Sequence, residues 1–308
     1  MSSLESQRIL EQFREAKGHL LSGKCSLEQY HSTLTNLLYG PGEPGADVQV
    51  EPFSLSGNPA EWITVPGAER SPVFYYLHGG GYVGPYNSAY RRMLVSLAKT
   101  TGIRVLALEY RLAPANPFPA AIEDAVAGYR WLLNQGIEPS RIAIGGDSAG
   151  AGLTVATLLV LRDAGERLPK AQVLISPWVD LEGTGESLTT TRKEVDPFMT
   201  AEGDMGCALS YVPNGDLRNP LVSPIYADLH DLPPMLIHVG DAEILLDDAL
   251  RLAEAARAAG VEVQLKVWDE LWHIFPIHVG HMPEAQQAID EMGAFLCEQL
   301  SMPRPASD

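Results

Sequence analysis

The stretch Gly146–Gly150, which reads Gly-Asp-Ser-Ala-Gly, decides the fold because of the segments on either side of it. Residues 141–145 before it form a short β-branched run that predicts a buried strand. Residues 153–161 after it are apolar enough to predict a buried helix. A Gly-x-Ser-x-Gly motif between a strand and a helix indicates a sharp, strained turn that exposes its serine, here Ser148. Glycine is needed on both sides of the serine because side chains there would clash.

A second glycine-rich motif follows another strand-like run, residues 72–77. Residues 78–81 read His-Gly-Gly-Gly. Acyl transfer creates an oxyanion that preorganised N–H donors must stabilise, and glycine lets the backbone approach a substrate closely. We therefore predict an oxyanion hole formed by Gly79, Gly80 and Ala149, the residue after the serine. The histidine of the motif is predicted to hold the loop rather than to act as a base.

An activated serine also needs a histidine base. In folds that place the serine on such a strand–turn–helix motif, the base follows both the serine and the acid along the chain. His273 lies in the loop between a predicted strand at 262–268 and a last helix that starts near Pro283. The base belongs in such a loop, so His273 is the predicted base. Among the other late histidines, His238 lies inside an apolar predicted strand and is expected to be a core residue, and His230 lies in an earlier loop. The weaker candidates, His278 and His281, come later.

With these motifs, the sequence resembles the hormone-sensitive-lipase-like esterases, the bacterial family IV carboxylesterases of the α/β-hydrolase superfamily. The resemblance implies an α/β-hydrolase fold with a mostly parallel eight-stranded sheet, helices on both faces and a helical cap. It also implies hydrolysis of short- to medium-chain carboxylic esters through an acyl-enzyme, without a metal or an organic cofactor. The matching segments are residues 78–82, 109–114, 118–121, 146–150, 176–178 and 272–275.

The resemblance also suggests a catalytic acid, although the sequence departs from the family pattern there. Family members commonly read Asp-Pro-Leu-Arg-Asp after the strand predicted here at 235–240. The only register that keeps both the Leu and the final Asp places Glu243 at the catalytic acid, and glutamate can orient a histidine as well as aspartate can. Asp241 is the alternative, and Asp247 is predicted to be structural, at the start of the next helix.

Alternation of strands and helices after residue 47 predicts an α/β protein with a mostly parallel sheet. Strands are predicted near 47–54, 60–65, 72–77, 103–109, 141–145, 171–176, 235–240 and 262–268. Helices are predicted near 87–101, 120–135, 148–163, 244–259 and 284–299.

Two segments do not fit this alternation and are predicted to form a cap that sets the substrate range. Residues 1–45 read as two amphipathic helices, and residues 183–217 interrupt the core, which comprises 46–182 and 218–308. The predicted substrate-binding side chains are Tyr82, Trp178, Met199, Met205 and Tyr211.

The composition of the chain limits the classes of molecule that it is expected to bind. The 308-residue chain carries a net charge of −17, which argues against a nucleic-acid or anionic-membrane surface. Its three cysteines, Cys25, Cys207 and Cys297, have no metal-binding spacing, and residues 1–21 lack the apolar core of a signal peptide, so a cytoplasmic protein is expected. The expected partner is a small-molecule ester, and a homodimer stays open.

The same residues leave other activities open. A lactonase, an amidase or an arylformamidase would use the same triad. A ligand-binding module of the same fold is a further alternative, because plant gibberellin receptors resemble these esterases. Those receptors have lost the catalytic histidine, however, and His273 is present here.

Overall fold

Short apolar strands alternate with helices through most of the chain and build one sheet. The computed structural model describes residues 2–21, 47–188, 196 and 199–303. Within them the sheet has eight strands in the order β1-β2-β4-β3-β5-β6-β7-β8. The strands are β1 (Gln49–Leu55), β2 (Asn58–Thr64), β3 (Val73–Leu77), β4 (Arg104–Leu108), β5 (Ile142–Asp147), β6 (Ala171–Ile175), β7 (Met235–Gly240) and β8 (Val263–Trp268).

The sheet is mostly parallel, as predicted. β1 and β2 form an antiparallel hairpin, and β2 is antiparallel to β4. All the other neighbouring strands are parallel. Every residue of β3, β5, β6 and β7 is buried, which explains their continuous apolar sequence: both faces of these central strands are covered.

Helices cover both faces of the sheet, which confirms the predicted architecture. Along β3, Val73, Tyr75 and Leu77 face one apolar cluster and Phe74 and Tyr76 face the other. Helices α3, α4 and α6 pack into the first cluster, and α1, α2 and α7 into the second. In the described part of the chain the helices are α1 (Leu4–Leu21), α2 (Ser88–Thr101), α3 (Ala120–Asn134), α4 (Ala149–Asp163), α5 (Ala201–Tyr211), α6 (Leu246–Ala258) and α7 (Pro283–Gln299).

The two predicted cap segments are described in part. The second predicted N-terminal helix and residues 189–195, 197 and 198 lie outside the described residues. Helix α1 packs on the C-terminal part of the chain, where the fully buried Phe13 ring meets Trp272 edge-on with the centroids 5.9 Å apart. The insertion contributes α5, which begins at an N-cap where the Thr200 side chain accepts from the Gly203 N–H.

All the predicted catalytic residues follow the carboxyl ends of parallel strands. The glycine-rich loop follows β3, Ser148 follows β5, Glu243 follows β7, and His273 follows β8. Those strand ends lie at one edge of the sheet, which is where α/β proteins bind their ligands. No helix in the described residues combines the length and the apolar character that crossing a bilayer requires.

Candidate active site

Ser148 occupies a strained turn between β5 and α4. Its backbone has φ 51° and ψ −123°, a conformation that residues with a side chain rarely adopt. Its N–H donates to the Ile175 carbonyl over 2.8 Å, which ties the turn to the end of β6. A Cβ at Gly146 or Gly150 would lie 2.3 or 2.1 Å from the carbonyl oxygen of Leu77. The two glycines are therefore required by space, as the sequence predicted.

His273 and Glu243 form a buried pair. The Nδ1 atom of His273 lies 3.3 Å from Oε2 of Glu243, and the two residues are 3% and 0% exposed. Burial lowers the pKa of His273 below its ordinary value of 6.5, so the imidazole is neutral at pH 7. Burial raises the pKa of Glu243, and the Ser176 hydroxyl, which donates to Oε2 over 2.9 Å, opposes that rise. A neutral imidazole is the form that can accept a proton.

Ser176 connects the parts of this site. Its hydroxyl donates to Glu243 and accepts the N–H of Ile274, 3.1 Å away, which follows the histidine. The preceding residue, Ile175, holds the N–H of Ser148. Two consecutive residues at the end of β6 therefore hold the serine turn, the carboxylate and the histidine loop. The sequence analysis did not assign this role, although Ser176 belongs to one of the segments that carried the family resemblance.

The neighbouring carboxylates point elsewhere. Asp241 accepts the N–H of Glu270 over 2.7 Å, away from the histidine. Asp247 accepts the N–H of Ser187 over 2.8 Å, so it joins α6 to the inserted segment and does not cap its own helix. Of the candidate acids, Glu243 is the one that the structure places against His273.

The other histidines have separate surroundings. The ring of His78 stacks on Tyr110 with the centroids 4.4 Å apart, and its Nδ1 lies 2.7 Å from the Gly79 carbonyl oxygen, consistent with a loop-holding role. His238 is buried in β7, as expected for a core residue. His278 is buried against Phe13 and Trp272, His230 pairs with Asp228 at the surface, and His281 is exposed.

The glycine-rich loop requires one correction. The N–H of Gly79 donates to Oδ1 of Asp147 over 2.9 Å, so this amide is already satisfied and does not face a substrate. Gly80 and Gly81 have φ values of 99° and 63°. Among the described residues, neither their N–H groups nor that of Ala149 has a protein acceptor. The available donors are therefore those of Gly80, Gly81 and Ala149, and Gly81 replaces Gly79.

Asp147 explains why the first glycine is engaged. Its Oδ1 accepts hydrogen bonds from the Tyr76 hydroxyl and from the Gly79 N–H, so it binds the glycine-rich loop to the serine turn. A Cβ at Gly79 would lie 2.1 Å from Oδ2 of Asp147, so only glycine fits there. Burial raises the pKa of Asp147 to about 6. Asp147 therefore holds the glycine-rich loop against the serine turn.

The predicted substrate-binding residues belong to one apolar cluster. The rings of Tyr82 and Tyr211 stack with their centroids 3.8 Å apart, and the Trp178 ring lies 6.1 Å from that of Tyr82. Met199 and Met205 are partly buried against the same cluster. Because Tyr82 follows the glycine-rich loop and Tyr211 ends α5, the stacked pair joins the inserted segment to that loop.

No group of three or more metal-ligating side chains occurs among the described residues.

Comparisons with known proteins agree with this fold. The family described as alpha/beta hydrolase fold matches residues 74–277. The chain is 46% identical over 237 residues to an acetyl-hydrolase of Streptomyces hygroscopicus, which covers 77% of this chain and 79% of that protein. It is 36% identical over 250 residues to an esterase of Acinetobacter venetianus, covering 80% and 82% of the two chains.

Solved structures extend the likeness to nearly the whole chain. An esterase from the bacterial hormone-sensitive lipase family superposes with a TM-score of 0.90 at 46% identity, covering 97% of this chain and 99% of that one. EstE5, in a crystal soaked with p-nitrophenyl butyrate, gives a TM-score of 0.88 at 39% identity and covers 97% and 100%. The chain therefore belongs to the α/β-hydrolase family and, within it, to the bacterial hormone-sensitive-lipase group of esterases.

Proposed function

We propose that the protein is a serine carboxylesterase that hydrolyses short- to medium-chain carboxylic esters through an acyl-enzyme. The observation that carries the proposal is the juxtaposition of a strained serine turn with a buried histidine–carboxylate pair. Ser148 and the loop after His273 are bonded to consecutive residues, Ile175 and Ser176. This is the arrangement of nucleophile, base and orienting acid that acyl transfer needs.

Acylation begins when the Ser148 hydroxyl attacks the ester carbonyl carbon. The hydroxyl proton passes to Nε2 of His273, and the carboxylate of Glu243 at Nδ1 stabilises the resulting imidazolium. The N–H groups of Gly80, Gly81 and Ala149 then donate to the oxyanion of the tetrahedral intermediate. Each such donor typically contributes about 3 kcal/mol to the stability of the transition state. The intermediate collapses, and the leaving alcohol takes its proton from His273.

Deacylation repeats the chemistry with water. His273 removes a proton from a water molecule, whose oxygen attacks the acyl carbon bound to Ser148. The same three N–H groups stabilise the second oxyanion. When this intermediate collapses, the carboxylic acid leaves and the serine oxygen regains its proton from the imidazolium.

The aromatic cluster supports a short acyl group. Tyr82, Trp178 and Tyr211 are each at most 4% exposed and form a compact wall beside the glycine-rich loop. The relatives point the same way: one is an acetyl-hydrolase, and another was soaked with a butyrate ester. p-Nitrophenyl butyrate is therefore the first substrate to test.

Replacing the nucleophile tests the proposal directly. Ser148→Ala is expected to lower kcat on p-nitrophenyl butyrate by about 10⁴-fold or more while the far-UV circular dichroism stays unchanged. The matched control is Ser140→Ala, which removes an exposed hydroxyl just before β5 and should keep full activity. A fluorophosphonate should label the wild type and the control, and fail to label Ser148→Ala. An active or labelled Ser148→Ala protein would refute the assignment.

A further inference from the structure

The inserted segment holds the loop that carries Glu243. Ile244, the next residue, has both of its peptide groups bonded to that segment. Its N–H donates to Oδ2 of Asp196 over 3.0 Å, and its carbonyl accepts the hydroxyl of Ser187. Ser187 is further bonded to Asp247 through its own N–H and hydroxyl. The conformation of the loop after β7 therefore depends on residues outside the core.

Asp196 occupies a buried position in this contact. It is 1% exposed, and its other carboxylate oxygen accepts the N–H of Met199 over 2.8 Å, just before α5. A buried carboxylate is costly unless hydrogen bonds or charges compensate for its lost hydration. Two backbone N–H donors favour its ionised form. One buried carboxylate thus connects the start of α5 to the residue after the proposed catalytic acid.

The charge of Asp196 also reaches His273. Burial lowers the pKa of His273, and the negative charges of Asp196 and then Asp147 oppose that fall. Glu243 is the third carboxylate facing the ring, at Nδ1. On the far side of Asp196, burial raises the pKa of Asp204 in α5 well above its usual range, and the negative charges of Asp196 and Asp248 add to that rise.

We propose that Asp196 is a positioning residue, through which the inserted segment fixes the Glu243 loop and stabilises the imidazolium of His273 during turnover. The inference rests on the proposed Ser148–His273–Glu243 triad. It gives the insertion a role beyond covering the substrate, because a segment outside the core completes the acid side of the triad. Loss of the Asp196 charge should weaken the transition state, in which the histidine is charged, more than the ground state, in which it is neutral.

The test compares Asp196→Asn with Asp216→Asn, an exposed aspartate of the same insertion. Asn keeps an acceptor for the Ile244 N–H and removes the charge. We expect kcat on p-nitrophenyl butyrate to fall on the order of 10-fold with KM nearly unchanged. The acid limb of the kcat/KM profile should move to lower pH, because an imidazolium without its anionic neighbour loses its proton more readily. Asp216→Asn should match the wild type in both measurements.

The variant Ser187→Ala distinguishes the effect of holding the Glu243 loop in position from the effect of the Asp196 charge. It also provides the test if Asp196→Asn does not fold. It removes the other hydrogen bond to Ile244 but no charge, so kcat should fall while the acid limb stays in place. An Asp196→Asn enzyme with wild-type kcat, or with reduced kcat and an unmoved acid limb, would overturn the inference. So would wild-type kcat in Ser187→Ala. Each result is interpretable only if Ser148→Ala is inactive, so failure of the triad itself would be recognised separately.

Discussion

The direction in which two neighbouring carboxylates point selects the proposed catalytic acid. Glu243 lies 3.3 Å from His273, whereas Asp241 accepts a backbone N–H from another loop. Glu243→Gln keeps the shape of the side chain and loses the charge that stabilises the imidazolium. In other triads the loss of the acid lowers kcat on the order of 10⁴-fold, and we expect a similar fall here.

Asp241→Asn is the matched control, because it removes a carboxylate two positions earlier in the same loop. Its kcat should stay within a few-fold of the wild type. The lost hydrogen bond to the Glu270 loop should instead lower the thermal stability of the protein slightly. Steady-state kinetics of both variants on one chromogenic ester provides the comparison. A more severe loss of kcat in Asp241→Asn than in Glu243→Gln would transfer the role of acid to Asp241.

Burial of the base makes a prediction about pH. In the proposed mechanism the neutral form of His273 is the active one, so activity should be lost as pH falls through its pKa in the free enzyme. Because burial holds that pKa below 6.5, the enzyme should keep most of its kcat/KM at pH 6. A profile of kcat/KM from pH 4 to 8 in buffers of constant ionic strength measures the midpoint. An acid limb at or above pH 6.5 would contradict the predicted direction.

At the scale of single residues, the sequence indicated which residues belong to the candidate site better than it indicated their hydrogen-bond partners. The serine turn needed its glycines for the expected reason, a lack of space for side chains, and the structure shows that the carbonyl oxygen of Leu77 occupies that space. The first glycine of the loop was assigned wrongly because three equivalent glycines adjoin, and nothing local shows which amide is already bonded. Asp147 decides that question from 68 positions away. The bridging role of Ser176 depends in the same way on contacts between distant residues.

Among the elements, the eight strands and the core helices all occur close to their predicted positions. The central strands are predictable because burial on both faces produces continuous apolar runs bounded by turns. The inserted segment was recognised only as a break in the alternation. Its hydrogen bonds to the loop after β7 involve Ser187 and Asp196, residue types that are also common in ordinary turns and loops. The sequence pattern therefore reveals that a segment is inserted, but it does not reveal which loop of the core the segment contacts.

Helix α1 contributes a stability prediction at this scale. Phe13 is fully buried and meets both Trp272 and His278 edge-on, directly beside His273. Phe13→Ala leaves a cavity there, and deletions of this size cost about 3–5 kcal/mol in the free energy of unfolding. We expect a clear fall in the melting temperature and a smaller fall in kcat, because Trp272 loses its support.

The control for α1 is Leu4→Ala, since Leu4 is 68% exposed on the same helix. Its free energy of unfolding should stay within about 0.5 kcal/mol of the wild type. Urea titrations followed by tryptophan fluorescence compare the three proteins. Equal stability of Phe13→Ala and the wild type would show that α1 does not contribute to the packing around the histidine loop.

At the scale of the whole molecule, the core and the inserted segment meet at the aromatic stack. Tyr82 follows the glycine-rich loop of the core, and Tyr211 ends α5 of the insertion. The proposed acyl pocket is therefore bounded by two parts of the chain that are far apart in sequence. Substrate range should then depend on side chains of α5, although the proposed nucleophile, base and acid all belong to the core.

The dependence of activity on acyl-chain length tests whether side chains of α5 set the substrate range. Each methylene buried in a pocket can add about 0.8 kcal/mol of binding until the pocket is full. We expect kcat/KM on p-nitrophenyl esters to rise from acetate and then fall for acyl chains above roughly ten carbons, because methylenes beyond a full pocket gain no binding or clash with its wall. Met205→Ala should shift the optimum toward longer chains, because it shortens a partly buried side chain of α5. Leu209→Ala, at a 48% exposed position of the same helix, should leave the optimum unchanged. Faster hydrolysis of long-chain triglycerides than of butyrate esters would show that the aromatic wall does not close the pocket.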